Sequence, residues 1–265
     1  MAADSTRRRS TPLGHLADPR EVERAEHRVE RLFGMGGVEG RSVLDAGCGE
    51  GRHSLAVWRL GAARVVSIDE EPARVARARA LRDNCAEGTE HPWSIARGRV
   101  TDANFVGSLG EFDRVLAWGS LHASGDLWRA VELLALRVRA GGVIALGLPL
   151  DEGDGALSPR RWSTLHRLSR GGPRAASVVS ASLGALAVAR RDPYATIEAL
   201  RERPISAVSD AWSAAASALR GAGFEVPTRE ALTARVEALG FSRLEVVASE
   251  GLPWSECGVV FRRAG

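Results

Sequence analysis

Residues 42–51, Ser-Val-Leu-Asp-Ala-Gly-Cys-Gly-Glu-Gly, join a short apolar run to three glycines at alternate positions. The apolar run predicts a buried strand, and the residues from Arg52 onward can start a helix. Glycine suits the turn between them because a Cβ would block both positive φ values and the close approach of a ligand. The start of the following helix offers N–H groups that lack partners within the helix. The stretch therefore predicts a strand, a ligand-binding turn and a helix in succession.

Strand-like and helix-like segments alternate on both sides of this turn. The predicted strands cover residues 42–46, 64–69, 93–100, 112–118, 143–148, 242–248 and 258–262. The predicted helices cover residues 19–33, 52–60, 72–85, 126–138 and 229–239. Asp18 with Pro19 and Thr228 mark helix starts, and Gly34 marks a helix end. The order predicts an α/β fold with a doubly wound, mostly parallel seven-stranded sheet and an antiparallel last strand, since parallel neighbours need long crossovers.

The alternation breaks once, after the fifth strand. Residues 151–225 contain Ala-, Ser- and Arg-rich helical patterns without a clear strand, and we expect them to form a helical cap inserted into the core. The core would then comprise residues 18–150 and 226–265, preceded by a flexible tail over 1–17. Between positions 156 and 203, nine arginines stand against three acidic residues. Such a cap could recruit an anionic acceptor, or its arginines could form an ordinary solvated helix face.

Two aspartates near the glycines indicate which ligand the turn binds. Asp45 would repel a pyrophosphate but suits the ammonium and sulfonium groups of S-adenosylmethionine. A dinucleotide site prefers GxGxxG, and Arg52 stands where the third glycine would be. Asp69 ends the next strand, where its two oxygens can accept two ribose hydroxyls, and Glu70 is a second candidate there. Either aspartate alone could be a helix cap or a turn residue, but the ordered set favours a cofactor site.

Residues 43–51 resemble motif I of class I, Rossmann-like S-adenosylmethionine-dependent methyltransferases, and residues 67–69 resemble the acidic end of their second strand. Residues 118–128, Trp-Gly-Ser-Leu-His-Ala-Ser-Gly-Asp-Leu-Trp, are similar to a WGVLHHTGDMW block in a bacterial subgroup of that family. The block departs from the subgroup at Ala123, where the subgroup has a second histidine. The resemblance covers residues 18–150 well and the closing segment from Thr228 loosely.

The resemblance implies roles for individual residues. Gly47, Cys48 and Gly49 would approach the methionine part of the cofactor through their backbone, while Asp45 would orient its amine and Asp69 would hold the ribose.

Three further positions have ordinary structural alternatives. Asp102 is assigned to the adenine amino group, although an acidic residue there could equally cap the following turn. Trp118 is expected beside the methionine moiety, although it could be a core aromatic. His122 is the candidate general base because its unperturbed pKa lies near neutrality, although it could simply hydrogen-bond the next loop.

The resemblance thus implies a methyltransferase of specialised metabolism that acts on a small molecule and yields S-adenosylhomocysteine. An RNA or protein acceptor is an alternative, as is a methyltransferase fold repurposed as a binding module or a non-methylating enzyme. The near-even net charge of +3 argues against nucleic acid as a main partner. We expect no metal, because suitably spaced carboxylates are lacking, and no membrane span. Three scattered cysteines and the absence of a secretory signal predict a cytoplasmic setting.

Overall fold

The computed structural model describes residues 17–34, 37–85, 93–151, 225–248 and 256–265. The strands are β1 (Ser42–Ala46), β2 (Arg64–Asp69), β3 (Trp93–Arg97), β4 (Phe112–Trp118), β5 (Val138–Pro149), β6 (Phe241–Ala248) and β7 (Glu256–Arg263). The helices are α1 (Pro19–Phe33), α2 (Arg52–Arg59), α3 (Pro72–Cys85), α4 (Ala103–Ser108), α5 (Leu127–Ala135) and α6 (Arg229–Glu237). A 3-10 turn at Leu121–Ala123 follows β4.

The seven strands form one sheet in the order β3-β2-β1-β4-β5-β7-β6. The first five are mutually parallel, and β7 runs antiparallel to both of its neighbours, β5 and β6. The predicted doubly wound sheet with an antiparallel last strand is therefore confirmed. All carboxyl ends of the parallel strands lie at one edge, which is where ligands bind in folds of this kind.

Helices cover both faces of the sheet and divide the core in two. One apolar cluster joins α1, α2 and α3 to the sheet, and it includes the fully buried Trp58. The other joins α5 and α6 to the opposite face, around the fully buried Phe112 and Phe261. Burial of apolar side chains on both faces explains why the central strands contain consecutive apolar residues rather than a strict alternation of apolar and polar ones.

The structure of residues 98–108 differs from the sequence prediction in two ways. The third strand ends at Arg97, three residues earlier than predicted, because the chain turns at Gly98, whose N–H donates to the Asp69 carbonyl at 3.1 Å. A Cβ at Gly98 would lie 2.1 Å from the Phe105 ring, so that ring packs directly on the turn. Helix α4, which contains Phe105, was not predicted from the sequence.

The boundary between α5 and β5 was also predicted wrongly. Helix α5 ends at Ala135 rather than Val138, and β5 begins at Val138 rather than Val143. The pairing partners are Phe112 with Val138 and then Arg114 with Val143, so the strand absorbs Gly141 and Gly142 as an irregularity. The remaining predicted ends, in α2, α6, β6 and β7, differ from the structure by one or two residues.

Residues 1–16 and 152–224 lie outside the described residues, so the predicted tail and helical cap remain predictions. The described flanks of the second segment are close together. Asp151 forms a parallel bridge with Thr228, and its N–H donates to the Pro227 carbonyl at 2.9 Å. The chain therefore leaves and rejoins the core at neighbouring positions. Among the described residues, no helix combines the length and apolar character that crossing a membrane requires.

Candidate active site at the carboxyl edge of the sheet

The glycine turn after β1 adopts backbone conformations that L side chains rarely take. Gly47, Gly49 and Gly51 have φ values of 76°, 57° and 87°. A Cβ at Gly47 would lie 2.2 Å from the Cβ of Ser120, whereas a Cβ at Gly49 would meet nothing within 4 Å. Gly47 therefore permits close packing, and Gly49 faces open space that a ligand could fill.

The Asp69 carboxylate holds this turn against the end of β2. Its Oδ2 accepts a hydrogen bond from the Gly49 N–H at 2.9 Å, and its Oδ1 accepts one from the Glu71 N–H at 2.9 Å. The side chain is only 5% exposed. Since each carboxylate oxygen can accept more than one hydrogen bond, these backbone contacts are compatible with further donors from a ligand.

Asp45 ends a chain of hydrogen bonds that crosses the core from β3. The indole Nε1 of Trp93 donates to Oγ of Ser67 at 2.9 Å, Ser67 donates to Oγ of Ser54 at 2.8 Å, and Ser54 donates to Oδ2 of Asp45 at 2.6 Å. An indole can only donate, so the Ser67 hydroxyl accepts from Trp93 and keeps its own hydrogen for Ser54, which in turn donates to Asp45. Both serines are completely buried. We call Trp93, Ser67, Ser54 and Asp45 the hydroxyl chain.

The pKa of Asp45 lies near neutral pH, so its protonated and ionised forms are both present there. Burial raises the pKa of Asp45 to about 7, the hydrogen bond from Ser54 opposes that rise, and the negative charge of Asp69 adds to it. A positive group placed beside Asp45 would favour its ionised form.

Cys48 and Glu70 differ in their surroundings. Burial, together with the charges of Asp45 and Asp69, raises the pKa of the Cys48 thiol, which therefore stays protonated. Any contact that Cys48 makes with a ligand thus comes from a neutral group. Glu70 is exposed, and its Oε2 lies 3.3 Å from Nε of Arg99.

Asp102 is the N-cap of α4. Its Oδ1 accepts hydrogen bonds from the N–H groups of Asn104 and Phe105 at 3.0 and 3.1 Å. The capping role that the sequence left open is therefore present. The side chain is exposed, at the end of the turn that follows β3.

Trp118, at the end of β4, lies across the neighbouring strands. A Cβ at Gly147 of β5 or Gly258 of β7 would be 2.4 or 2.9 Å from its ring atoms. The guanidinium of Arg28, a residue of α1, lies 4.6 Å from the centre of the indole ring. The centre of the His53 ring lies 6.2 Å from the centre of the Trp118 ring. Trp118 is therefore both packed on the core and part of this edge of the sheet.

His122 occupies the 3-10 turn after β4 and is only 5% exposed. The sequence analysis assigned this ring a base role because the unperturbed pKa of histidine lies near neutrality, but burial lowers the pKa of His122 to about 4. Its imidazole is therefore neutral at physiological pH. The His122 carbonyl accepts a hydrogen bond from the Glu225 N–H at 2.9 Å, and Glu225 Oε1 accepts one from the Leu127 N–H at 2.8 Å.

Four residues that contact the site or support it were missed by sequence reasoning: Arg28, Ser54, Ser67 and Trp93. Ser67 interrupts an otherwise apolar strand and Ser54 lies beside apolar residues of α2, so polar residues at buried positions were the available signal. Arg28 gave no such signal, because it is one of several arginines on α1. The described residues contain no group of three or more His, Cys, Asp or Glu that could hold a metal ion.

Residues 43–142 match the family model described as a methyltransferase domain. The match spans 100 of the 265 residues of the chain. The matched residues include the glycine turn, Asp45, Asp69, Asp102, Trp118 and His122.

Curated relatives resemble about half of the chain. The ribosomal protein L11 methyltransferase of Stenotrophomonas maltophilia is 34% identical over 138 residues, which are 50% of this chain and 40% of that protein. The tRNA U34 carboxymethyltransferase of Shewanella denitrificans is 32% identical over 117 residues, 43% of this chain and 33% of that protein. The chain therefore matches well under half the length of either relative.

The similarity in fold to solved structures extends beyond the residues that match the family model. A crystal structure of magnesium protoporphyrin IX methyltransferase from Synechocystis PCC 6803, with bound S-adenosylhomocysteine, superposes with a TM-score of 0.58 at 13% identity. The match covers 92% of this chain and 83% of that one. The similarity of residues 118–128 to a particular bacterial subgroup stays a prediction.

Proposed function

We propose that this protein is a methyltransferase that uses S-adenosylmethionine to modify a small-molecule acceptor and releases S-adenosylhomocysteine. One observation carries the cofactor assignment: Gly49 faces open space in the turn that follows the buried Asp45, its N–H is held by the buried carboxylate of Asp69, and all three residues lie in the part of the chain that matches the methyltransferase domain model. A positively charged nucleoside fits this combination of steric room and negative charge, whereas a pyrophosphate would be repelled.

The residues present suit the parts of that cofactor. The backbone of Gly47, Cys48 and Gly49 approaches the methionine part, and Asp45 accepts from its ammonium. Asp69 holds the ribose while keeping the turn in place, with Glu70 beside it.

Two more residues complete the proposed cofactor site. Trp118 forms a wall beside the methionine part, and Asp102 reaches the adenine amino group from the cap of α4. The bound cofactor supplies a methyl carbon that is already activated by its positively charged sulfur, so the protein has to align an acceptor for in-line displacement.

His122 is the proposed base that removes the acceptor's proton. A neutral imidazole at physiological pH can accept a proton, although the pKa of about 4 makes it a weak base. It suits an acceptor whose proton becomes acidic only as the new bond to carbon forms.

The inserted segment 152–224 is proposed to set acceptor choice. Its described flanks, Asp151 and Glu225, lie at the carboxyl edge of the sheet, and Glu225 is hydrogen-bonded to the backbone of His122. The arginines of this segment suit an anionic acceptor, since guanidinium groups bind carboxylates and phosphates through paired hydrogen bonds. We assign the reaction to specialised metabolism in the cytoplasm, a setting compatible with three buried cysteines that form no disulfide.

Calorimetric titration with S-adenosylmethionine and with NAD tests the cofactor. We expect saturable binding of S-adenosylmethionine alone, and binding of NAD in its place would refute the proposal. Production of S-adenosylhomocysteine in the presence of small-molecule acceptors then tests catalysis. Tight cofactor binding without turnover on any acceptor class would identify a binding module instead.

A protein or RNA acceptor is the second candidate. It is favoured by the two curated relatives, which are named for a ribosomal protein and for a tRNA. These names do not support the expectation that nucleic acid is excluded as a partner. Assays with total tRNA and ribosomal protein as acceptors, at several salt concentrations, distinguish the candidates, because RNA affinity falls steeply with salt.

A further inference from the structure

Three arginines lie together at the amino edge of the sheet, where the parallel strands begin. Arg114 of β4 and Arg262 of β7 are both in register with Val143 of β5, so their side chains share one face of the sheet, two strands apart. Arg41 directly precedes β1, which is the other strand beside β4. We call Arg41, Arg114 and Arg262 the arginine cluster.

Arg114 is the fixed member of the arginine cluster. Its side chain is half-buried, its Nε donates to the Gly37 carbonyl at 2.8 Å, and its Nη1 donates to the Asp113 carbonyl at 2.9 Å. Both acceptors are neutral backbone groups, so neither bond compensates the positive charge. The two bonds use two of the five N–H donors of the guanidinium, and the others are available to a ligand. Because the guanidinium is already oriented, binding costs less side-chain freedom.

The positive charges of the arginine cluster repel one another. Burial lowers the pKa of Arg114, and the charges of Arg41 and Arg262 lower it further, while the charge of Asp113 acts in the opposite direction. An arginine stays protonated in proteins, so the three residues remain charged together. An anion placed among them would replace this repulsion with attraction.

No carboxylate within the described residues forms an ion pair with a member of the arginine cluster. The Asp113 carboxylate is bound elsewhere: its Oδ2 accepts from the N–H and Oγ of Ser42 at 2.8 and 2.7 Å, and its Oδ1 lies 3.4 Å from Nη1 of Arg139. Glu39, in the loop before β1, lies against Gly61, where a Cβ would be 3.3 Å from its Cγ. The acidic side chains closest in sequence to the cluster thus contact other groups.

We propose that Arg41, Arg114 and Arg262 bind a phosphate group of a small ligand, at a second site on the opposite edge of the sheet from the proposed cofactor site. A phosphate dianion suits the cluster better than a carboxylate, because it attracts several positive charges more strongly and offers more oxygens to guanidinium groups. Arg114 lies about 13 Å along β4 from Trp118 of the cofactor site, so the two ligands bind without competing.

Thermal unfolding of the full chain in inorganic phosphate, compared with acetate at the same ionic strength, tests the site. Phosphate should raise the wild-type midpoint by roughly 3–5 °C at about ten times its dissociation constant, because a ligand that binds only the folded protein stabilises it. Acetate should have little effect. Saturating S-adenosylhomocysteine should leave the phosphate affinity unchanged. Phosphate also stabilises folded proteins without binding to them, so the decisive comparison is between variants.

The variants separate the arginine cluster from other arginines. Arg41 and Arg262 are exposed, so a protein that carries both Arg41→Gln and Arg262→Gln should keep its fold and bind phosphate roughly tenfold more weakly. Arg114→Met should abolish the phosphate response, measured against the midpoint of that variant in acetate. Arg24→Gln, at an exposed position of α1, removes the same charge outside the cluster and should keep the wild-type response.

An equal response to phosphate in wild type and in the double variant would overturn the assignment, because phosphate would then act elsewhere. A wild type that responds identically to phosphate and acetate would overturn it without any variant. Displacement of phosphate by S-adenosylhomocysteine would place the anion at the cofactor site instead. Binding of a single-stranded RNA oligonucleotide through the cluster, without any response to phosphate, would replace the small ligand with a nucleic acid.

Discussion

The Ser54 hydroxyl donates a hydrogen bond of 2.6 Å to Oδ2 of Asp45, a carboxyl group that is only 2% exposed. Removing this donor in Ser54→Ala should raise the pKa of Asp45 further, because the bond stabilises the ionised form. Cofactor affinity near neutral pH should fall by roughly tenfold, which corresponds to the free energy that one hydrogen bond to a charged group contributes. Calorimetry at several pH values measures the shift.

The other members of the hydroxyl chain provide a graded series for this experiment. Ser67→Ala and Trp93→Phe remove donors one and two steps further from Asp45, so their effects should be smaller than that of Ser54→Ala. Identical pH profiles in wild type and all three variants would contradict a role for the chain.

Cofactor binding should depend on pH through Asp45. The folded pKa of about 7 lies above the ordinary value, so the protonated carboxyl stabilises the cofactor-free protein at low pH, and this contribution is lost as the pH rises through about 7. A cationic ligand favours the ionised form, so affinity should increase by roughly tenfold between about pH 5.5 and pH 7.

Measurements in buffers of different ionisation enthalpy should also detect proton release on binding. His53 and His122, with pKa values of about 3 and 4, should not titrate in this range. Asp45→Asn should abolish the pH dependence, and its persistence in that variant would assign the titration to another group.

The two backbone contacts of Asp69 predict a combined effect on binding and stability. Asp69→Ala should weaken cofactor binding by about 1.5–3 kcal/mol, because the contact with the ribose is lost. It should also lower the thermal stability of the free protein, because the N–H groups of Gly49 and Glu71 lose their acceptor. Asp83→Asn, an exposed acidic residue of α3, is the matched control for the loss of one negative charge. Unchanged cofactor affinity would show that the ribose assignment is wrong.

Gly47 and Gly49 should respond differently to alanine. Gly47→Ala places a Cβ 2.2 Å from that of Ser120 and should destabilise the fold. Gly49→Ala meets no atom within 4 Å, so the free protein should lose only about 1–2 kcal/mol from its positive φ. The second variant should nevertheless lose cofactor binding, and retention of binding in a stable Gly49→Ala protein would place the ligand elsewhere.

At saturating cofactor, where the titration of Asp45 no longer limits binding, turnover should lack an inflection near pH 6.5 if His122 is the base. Its pKa of about 4 predicts a rate that rises through that value and is level above about pH 5. His122→Ala should lower kcat while leaving cofactor affinity near normal. A His122→Ala enzyme with wild-type kcat would limit this residue to hydrogen-bonding the chain near Glu225.

Local sequence signals predicted most of the fold. Strands β1, β2 and β4 and helix α3 have the predicted bounds, because apolar runs and helical spacing are properties of contiguous residues. Asp18 and Thr228 cap the helices that they were expected to start. The glycines could be recognised as a turn because only their residue type tolerates the observed φ values.

The tertiary structure decided how the residues of the site influence one another. Burial set the pKa directions of Asp45, His53 and His122, and burial depends on packing between elements far apart in the sequence. The same is true of Arg28 against Trp118, separated by 90 positions, and of the extra residues in β5, which only strand pairing defines. The sequence alone determined the order of strands and helices along the chain, the glycine turn and its two aspartates, because these follow from residue type and spacing. The desolvation of side chains and the contacts between distant segments required the folded molecule.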